Sequence, residues 1–171
     1  VAYASGCKIV NIIQQPNATF GMTMATYVGQ NLGAKQYGRI REGVRKCILI
    51  NLILCTSLCI LMFLFADSIS GYLIKGGETA AIAGSAEYII VLSCFLWVLG
   101  LLWPYRSALQ GMGRTIVPMI SGGLELLLRI GLVLTLPLFF EFRGVMAAEI
   151  SAWTGATLMI ILDYYRVQKK M

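Results

Sequence analysis

At 171 residues, with 58% hydrophobic and 13% charged side chains, the chain has too few charges to clothe a water-facing surface, where about 25% is usual. Its net charge of +6 and mean hydropathy of +0.76 go together with short cationic clusters between apolar runs, the pattern of a membrane protein and not of a nucleic-acid-binding face. The chain has no His, no GxxxxGK[ST] stretch and no CxxC among its five cysteines, so no enzyme chemistry, metal centre or cofactor is expected.

A helix needs about 20 mainly apolar residues to cross the hydrocarbon core. Five such helices are predicted, at 4–29, 47–66, 86–110, 115–139 and 144–166, so the fold expected is an all-α, polytopic transmembrane bundle. The first is the most polar. Lys8, Asn11, Gln14, Gln15 and Asn17 mark a helix that faces protein or an aqueous cavity. Gln14, Gln15 and Asn17 are candidates for lining that cavity, with hydrogen bonds across helices as the alternative role. Pro16 lacks an N–H and predicts a kink or a free carbonyl. Gly29 and Gly33 then fit either a close helix approach or a turn.

A basic loop at 29–46 carries Lys35, Arg39, Arg41, Arg45 and Lys46, and the second helix that follows is free of charge. Gly71, Gly76 and Gly77 predict a flexible connection at 67–84. In the third helix Trp97 falls near mid-membrane, placed to form a cavity wall for cations by cation–π contact or simply to pack. Trp103 and Tyr105 read as interfacial anchors, and Gly111 and Gly113 as a tight turn. In the fourth helix Glu125 and Arg129 stand four apart, on one helical face. They predict either a cavity-lining pair that feels substrate or proton, or a salt bridge locking two helices. Glu149 falls near the outer end of the last helix, where a carboxylate reaches water. Cys7, Cys47, Cys55, Cys59 and Cys94 read as small thiols buried in helix packing.

If five helices alternate, the loop at 29–46, the turn at 106–115 and the tail share one side and hold ten of the fourteen Lys and Arg. The other side holds only Lys75 and Arg143. By the positive-inside rule Val1 starts outside and the C-terminus is cytoplasmic, in a plasma (inner) membrane. A start at Val1 without an initiating Met predicts at least one helix before it.

Three strings, in this order, carry a resemblance. Val28-Gly29-Gln30-Asn31-Leu32-Gly33-Ala34-Lys35 resembles the signature ending the second helix of each half in the multidrug and toxic compound extrusion family. Arg106-Ser107-Ala108-Leu109-Gln110-Gly111-Met112-Gly113 is similar to the motif closing that family's fourth helix, and Gly144-Val145-Met146-Ala147-Ala148-Glu149 to the beginning of its sixth. The resemblance covers nearly the whole chain and implies about five helices, eight to twelve, of a twelve-helix, two-lobed transporter. It implies an N-terminal half of the same protein as partner and the lipid bilayer as surroundings. It also implies antiport, with H+ or Na+ entering as the coupling ion while small organic cations and drugs leave by alternating access. The family's acidic residue on the helix corresponding to 88–105 has no counterpart here, which points coupling toward Glu125 or toward acids outside this chain. A lipid-linked oligosaccharide flippase of the same superfamily and a non-transporting membrane scaffold are the alternatives.

Overall fold

A computed structural model describes residues 2–74 and 79–169. It consists of six helices: α1 (Ala2–Gly33), α2 (Tyr37–Leu73), α3 (Thr79–Cys94), α4 (Leu96–Gly111), α5 (Ile116–Thr135) and α6 (Pro137–Gln168). By length and composition α2, α5 and α6 each suffice to cross a membrane, and α3 with α4 suffice together as one span bent by 48°. α1 is long enough at 32 residues, but its amides and Lys8 keep it below that apolar threshold. Its helix runs through Pro16 without a break.

Several expected boundaries shift. The basic loop at 29–46 shrinks to a short connection, because α1 continues to Gly33 and α2 starts at Tyr37. The turn is closed by Gln36 N–H donating to the Asn31 carbonyl at 2.8 Å, with Lys35 in the left-handed region at φ 56°. Arg39, Arg41, Arg45 and Lys46 thus stand on the first turns of a helix. Arg106, expected in a turn, lies inside α4. Of the flexible connection, Lys75, Gly76 and Gly77 fall outside the described residues, as does Lys170 in the tail, while Gly71 is helical. The expected third span is divided at Phe95, where Phe95 N–H donates to the Leu92 carbonyl at 3.1 Å and Val98 N–H to that of Phe95 at 3.0 Å. These tightened turns bend the span. α6 carries a kink at Glu141 (φ 48°, ψ −129°), so its regular part begins beyond that residue.

Contacts between helix ends fix the topology. The Tyr27 hydroxyl donates to the Arg39 carbonyl at 3.1 Å, and Arg41 donates to the Gln168 carbonyl at 2.9 Å. The C-terminus of α1, the N-terminus of α2 and the C-terminus of α6 therefore share one end of the bundle. At the other end Arg143 meets Glu87 at 2.9 Å, and the rings of Tyr3 and Tyr88 lie 5.5 Å apart. The cationic clusters gather at the first end.

Lipid is as apolar as Leu, so helices here associate through close packing and polar bonds, not through hydrophobic burial alone. The sequence meets that need with small residues. Ala148, Ala152 and Ala156 recur every four residues on α6 and are fully buried. A Cβ on Gly111 would meet the Ala25 carbonyl, the Ala25 Cα and Val28 Cβ, so α1 and α4 touch backbone to backbone. Gly29 faces the Gly111 carbonyl across the same contact, while Gly33 has open space around it. The close approach therefore requires Gly111, with Gly29 at ordinary van der Waals distance from it, and two of the three familiar strings meet here. α5 packs mainly on α6 and leaves Met119, Leu126, Leu127 and Leu134 exposed, a surface suited to lipid.

Candidate functional site

Four charged side chains form a continuous ladder across α4, α5 and α6. The Arg106 guanidinium donates to Ser121 Oγ and to Glu125 Oε2, both at 3.0 Å. Glu125 Oε1 accepts from Arg129 at 3.1 Å, and Arg129 also lies 3.2 Å from Glu149 Oε2. Side-chain exposure is 15% for Arg106, 19% for Glu125, 38% for Arg129 and 13% for Glu149. The i, i+4 spacing on α5 puts Glu125 and Arg129 on one face, as the sequence predicted. The tertiary structure adds Arg106 below and Glu149 above. Two cations then balance two anions, which offsets much of the desolvation cost that each would carry alone.

Arg129 and Glu149 form a wall shared by two cavities. One, of about 230 Å³, is polar and brings together Cys7, Asn11, Gln14, Tyr88 and Trp153. The other, of about 400 Å³, is apolar and lined by Ile130, Val133, Phe142 and Val145 beside Tyr3. A charged pair thus separates an amide- and aromatic-lined chamber from a greasy groove.

Of the residues singled out from sequence, Glu125 and Arg129 join the ladder and Gln14 lines the polar cavity. Gln15 is exposed, its amide donating to the Asn11 carbonyl at 3.4 Å within its own helix. Asn17 is fully buried elsewhere, in a seam between α1, α2 and α4. There its Oδ1 accepts from Cys55 Sγ at 3.4 Å, while Asn51 Nδ2 donates to the Gly100 carbonyl at 3.1 Å. Gly100 is needed for this approach, since a Cβ would stand 3.0 Å from Cys55 Sγ. Asn17 therefore holds helices together. Trp97 is 49% exposed on the bundle surface and lines neither cavity; Trp153 takes the cavity position. Glu149, expected near water at the outer end, is instead mostly buried and paired. The cysteines are not uniformly buried: Cys55 is, but Cys94 is exposed and lies 3.8 Å from Cys59. Arg106 read only as a cation of the turn at 106–115 and Trp153 was not singled out, because only helix rotation turns them inward.

The MatE family model matches residues 2–135. A probable multidrug resistance protein, YoeA of Bacillus subtilis (strain 168), is 24% identical over 170 residues, covering 96% of this chain and 36% of that protein. Among solved structures, a multidrug resistance MATE family transporter of the MOP superfamily in an outward-facing conformation superposes with a TM-score of 0.89 at 15% identity. It covers 99% of this chain and 39% of its own. A MOP superfamily transporter from Pyrococcus furiosus gives 0.82 at 21% identity, over 93% of this chain and 35% of that one. The chain thus spans little more than a third of the length of these relatives. The all-α architecture read from hydropathy is the architecture these structures share, and the chain belongs to the MatE family.

Proposed function

We propose that this chain supplies one lobe of a secondary active multidrug transporter, a cation-coupled antiporter. In this reading H+ or Na+ enters while organic cations leave, within a plasma membrane and with the C-terminus cytoplasmic. The second lobe is supplied by the rest of the protein. The observation that carries this reading is the Arg129–Glu149 pair, held at 3.2 Å between a polar and an apolar cavity. Intramembrane charges are costly, and a lobe that only filled space would do better with apolar side chains.

The ladder offers a chemical basis for coupling. Arg129 is shared between Glu125 and Glu149, so a proton or cation arriving at either carboxylate frees Arg129 toward the other. The pairs on α5 and α6 thereby exchange partners. Tyr88 and Trp153 line the same cavity, where an organic cation in contact with an aromatic ring would gain cation–π attraction of roughly 0.5–2 kcal/mol. Rocking of the two lobes would then carry the cavity from one membrane face to the other.

The test is efflux of ethidium or norfloxacin from cells expressing the full-length protein with Glu125→Gln or Glu149→Gln. Reduced efflux at unchanged expression supports the reading. Normal export by both variants removes the ladder from the mechanism. Complementation of flippase-deficient cells, with no drug export, would instead assign the protein to oligosaccharide-lipid transport.

A further inference from the structure

At the opposite end of the bundle from the Tyr3–Tyr88 contact lies a separate cavity of about 550 Å³, with no residue in common with the ladder. Arg41 and Arg45 on the first turns of α2 form one wall. Tyr105 of α4 and Tyr164 and Tyr165 of α6 form another. The rings are packed together: Tyr105 and Tyr164 centroids are 4.8 Å apart, and the hydroxyls of Tyr105 and Tyr165 lie 3.3 Å apart. This gives an apolar floor tipped with hydroxyl donors. Its size falls in the range typical of small-ligand sites.

The charge of this cavity is one-sided. Arg41 is anchored by its bond to the Gln168 carbonyl at 2.9 Å, a neutral acceptor that does not itself offset the positive charge. Arg45 stands one turn further along the same helix, and among the described residues neither arginine is ion-paired. Glu42 also lines the cavity, and Lys46 pairs with it at 2.6 Å, so the two arginines leave the lining net positive. Two guanidiniums one turn apart, beside tyrosine hydroxyls, offer several donors to one oxyanion, and the non-bridging oxygens of a phosphate ester can accept from both forks at once. The position adds a second constraint. The charge-free run of α2 begins just below the arginines, and Leu49 and Ile53 are exposed on it at 60% each. A phosphate held by Arg41 and Arg45 would have a greasy helix face directly beneath it.

We propose that this cavity binds a phosphate-ester group, supplied by the headgroup of an anionic phospholipid whose acyl chains lie along α2. Basic pockets between membrane helices recognise headgroups in this way. The site is independent of the transport reading, since it uses none of the ladder residues and requires only that the bundle sit in a bilayer.

The test uses the full-length protein in nanodiscs of phosphatidylcholine with and without phosphatidylglycerol. Native mass spectrometry reads the retained lipid. Wild type should retain phosphatidylglycerol over phosphatidylcholine, and Arg41→Gln with Arg45→Gln should weaken that retention by about tenfold or more. Lys35→Gln with Arg114→Gln removes an equal charge from residues that do not line the cavity and should change it little. If the double variant folds poorly, Arg41→Lys with Arg45→Lys keeps the charge and should retain part of the binding. Displacement of the lipid by inorganic phosphate at comparable concentration would uphold the phosphate chemistry and assign its source to a soluble ester. Equal phosphatidylglycerol retention by wild type and the Arg41/Arg45 glutamine variant, or equal loss in the Lys35/Arg114 variant, would overturn the proposal.

Discussion

The Arg129 guanidinium lies 3.2 Å from a Glu149 carboxylate oxygen on the neighbouring helix, and this contact ties α5 to α6 across the wall between two cavities. Removing one partner leaves the other a mostly buried, uncompensated charge. Arg129→Met should therefore destabilise the full-length protein by about 1–3 kcal/mol, below the figure for a fully buried pair because Arg129 is 38% exposed. The double variant Arg129→Met with Glu149→Met should recover part of that loss. Thermal unfolding in detergent, read as a double-mutant cycle, measures the coupling, and additive losses would show that the pair is not energetically linked.

Gly111 packs its backbone against Ala25 and Val28 of α1. A methyl group at this position meets the Ala25 carbonyl and Cα, which are backbone atoms and cannot turn away. Gly111→Ala should cost about 1–3 kcal/mol by overpacking. Gly144→Ala should behave alike, since its Cβ meets the Leu136 carbonyl group and Pro137 nitrogen at the α5–α6 hairpin. Detergent stability scans check both, and wild-type melting of either variant would contradict the close approach.

Asn51 spends one amide hydrogen on the Gly100 carbonyl at 3.1 Å, while its Oδ1 has no partner among the described residues. Asn51→Leu loses that bond but also relieves the unpaired oxygen. The net destabilisation should stay near 0.5–1.5 kcal/mol, typical of interhelical polar bonds in membranes. Chemical denaturation in mixed micelles can resolve a change of this size.

Cys59 of α2 and Cys94 of α3 hold their sulfurs 3.8 Å apart, and a small side-chain rotation brings them to the bonding distance of about 2.05 Å. Treatment with copper–phenanthroline and oxygen should remove two alkylatable thiols per chain through one internal disulfide, with oxygen as the electron acceptor. Cys59→Ser and Cys94→Ser should each abolish it. Mass spectrometry after alkylation counts the thiols, and an unchanged count in the wild type would place the helices further apart than the structure does.

Helix rotation explains which residues could be read in advance. Glu125 and Arg129 were legible as neighbours because an α-helix returns to the same face after four residues, wherever that helix sits. Gln14 and Asn17 lie three apart in a polar helix and looked equivalent. The structure sends one into the polar cavity and the other into a dry seam with Cys55, because α1 packs between different neighbours on its two sides. Trp153, not Trp97, lines the polar cavity for the same reason: each is a tryptophan in an apolar run, and only packing decides which one turns inward. The break at Phe95 had no local signal, since neither Gly nor Pro stands there; Gly100 and Pro104 lie beyond it.

An all-α chain suited to lipid, with its cations gathered at one end, was legible in the amino-acid order alone. Those properties follow from hydropathy, helix rise and charge placement, which act locally along the chain. The tertiary structure decided that Arg106, Glu125, Arg129 and Glu149 form one ladder, that Asn17 is a fastener, and that Arg41 and Arg45 share a cavity with three tyrosines. Partners on different helices meet only after crossing angles and rotations are set, and those are set by where Gly100, Gly111 and the alanines of α6 allow the backbones to approach.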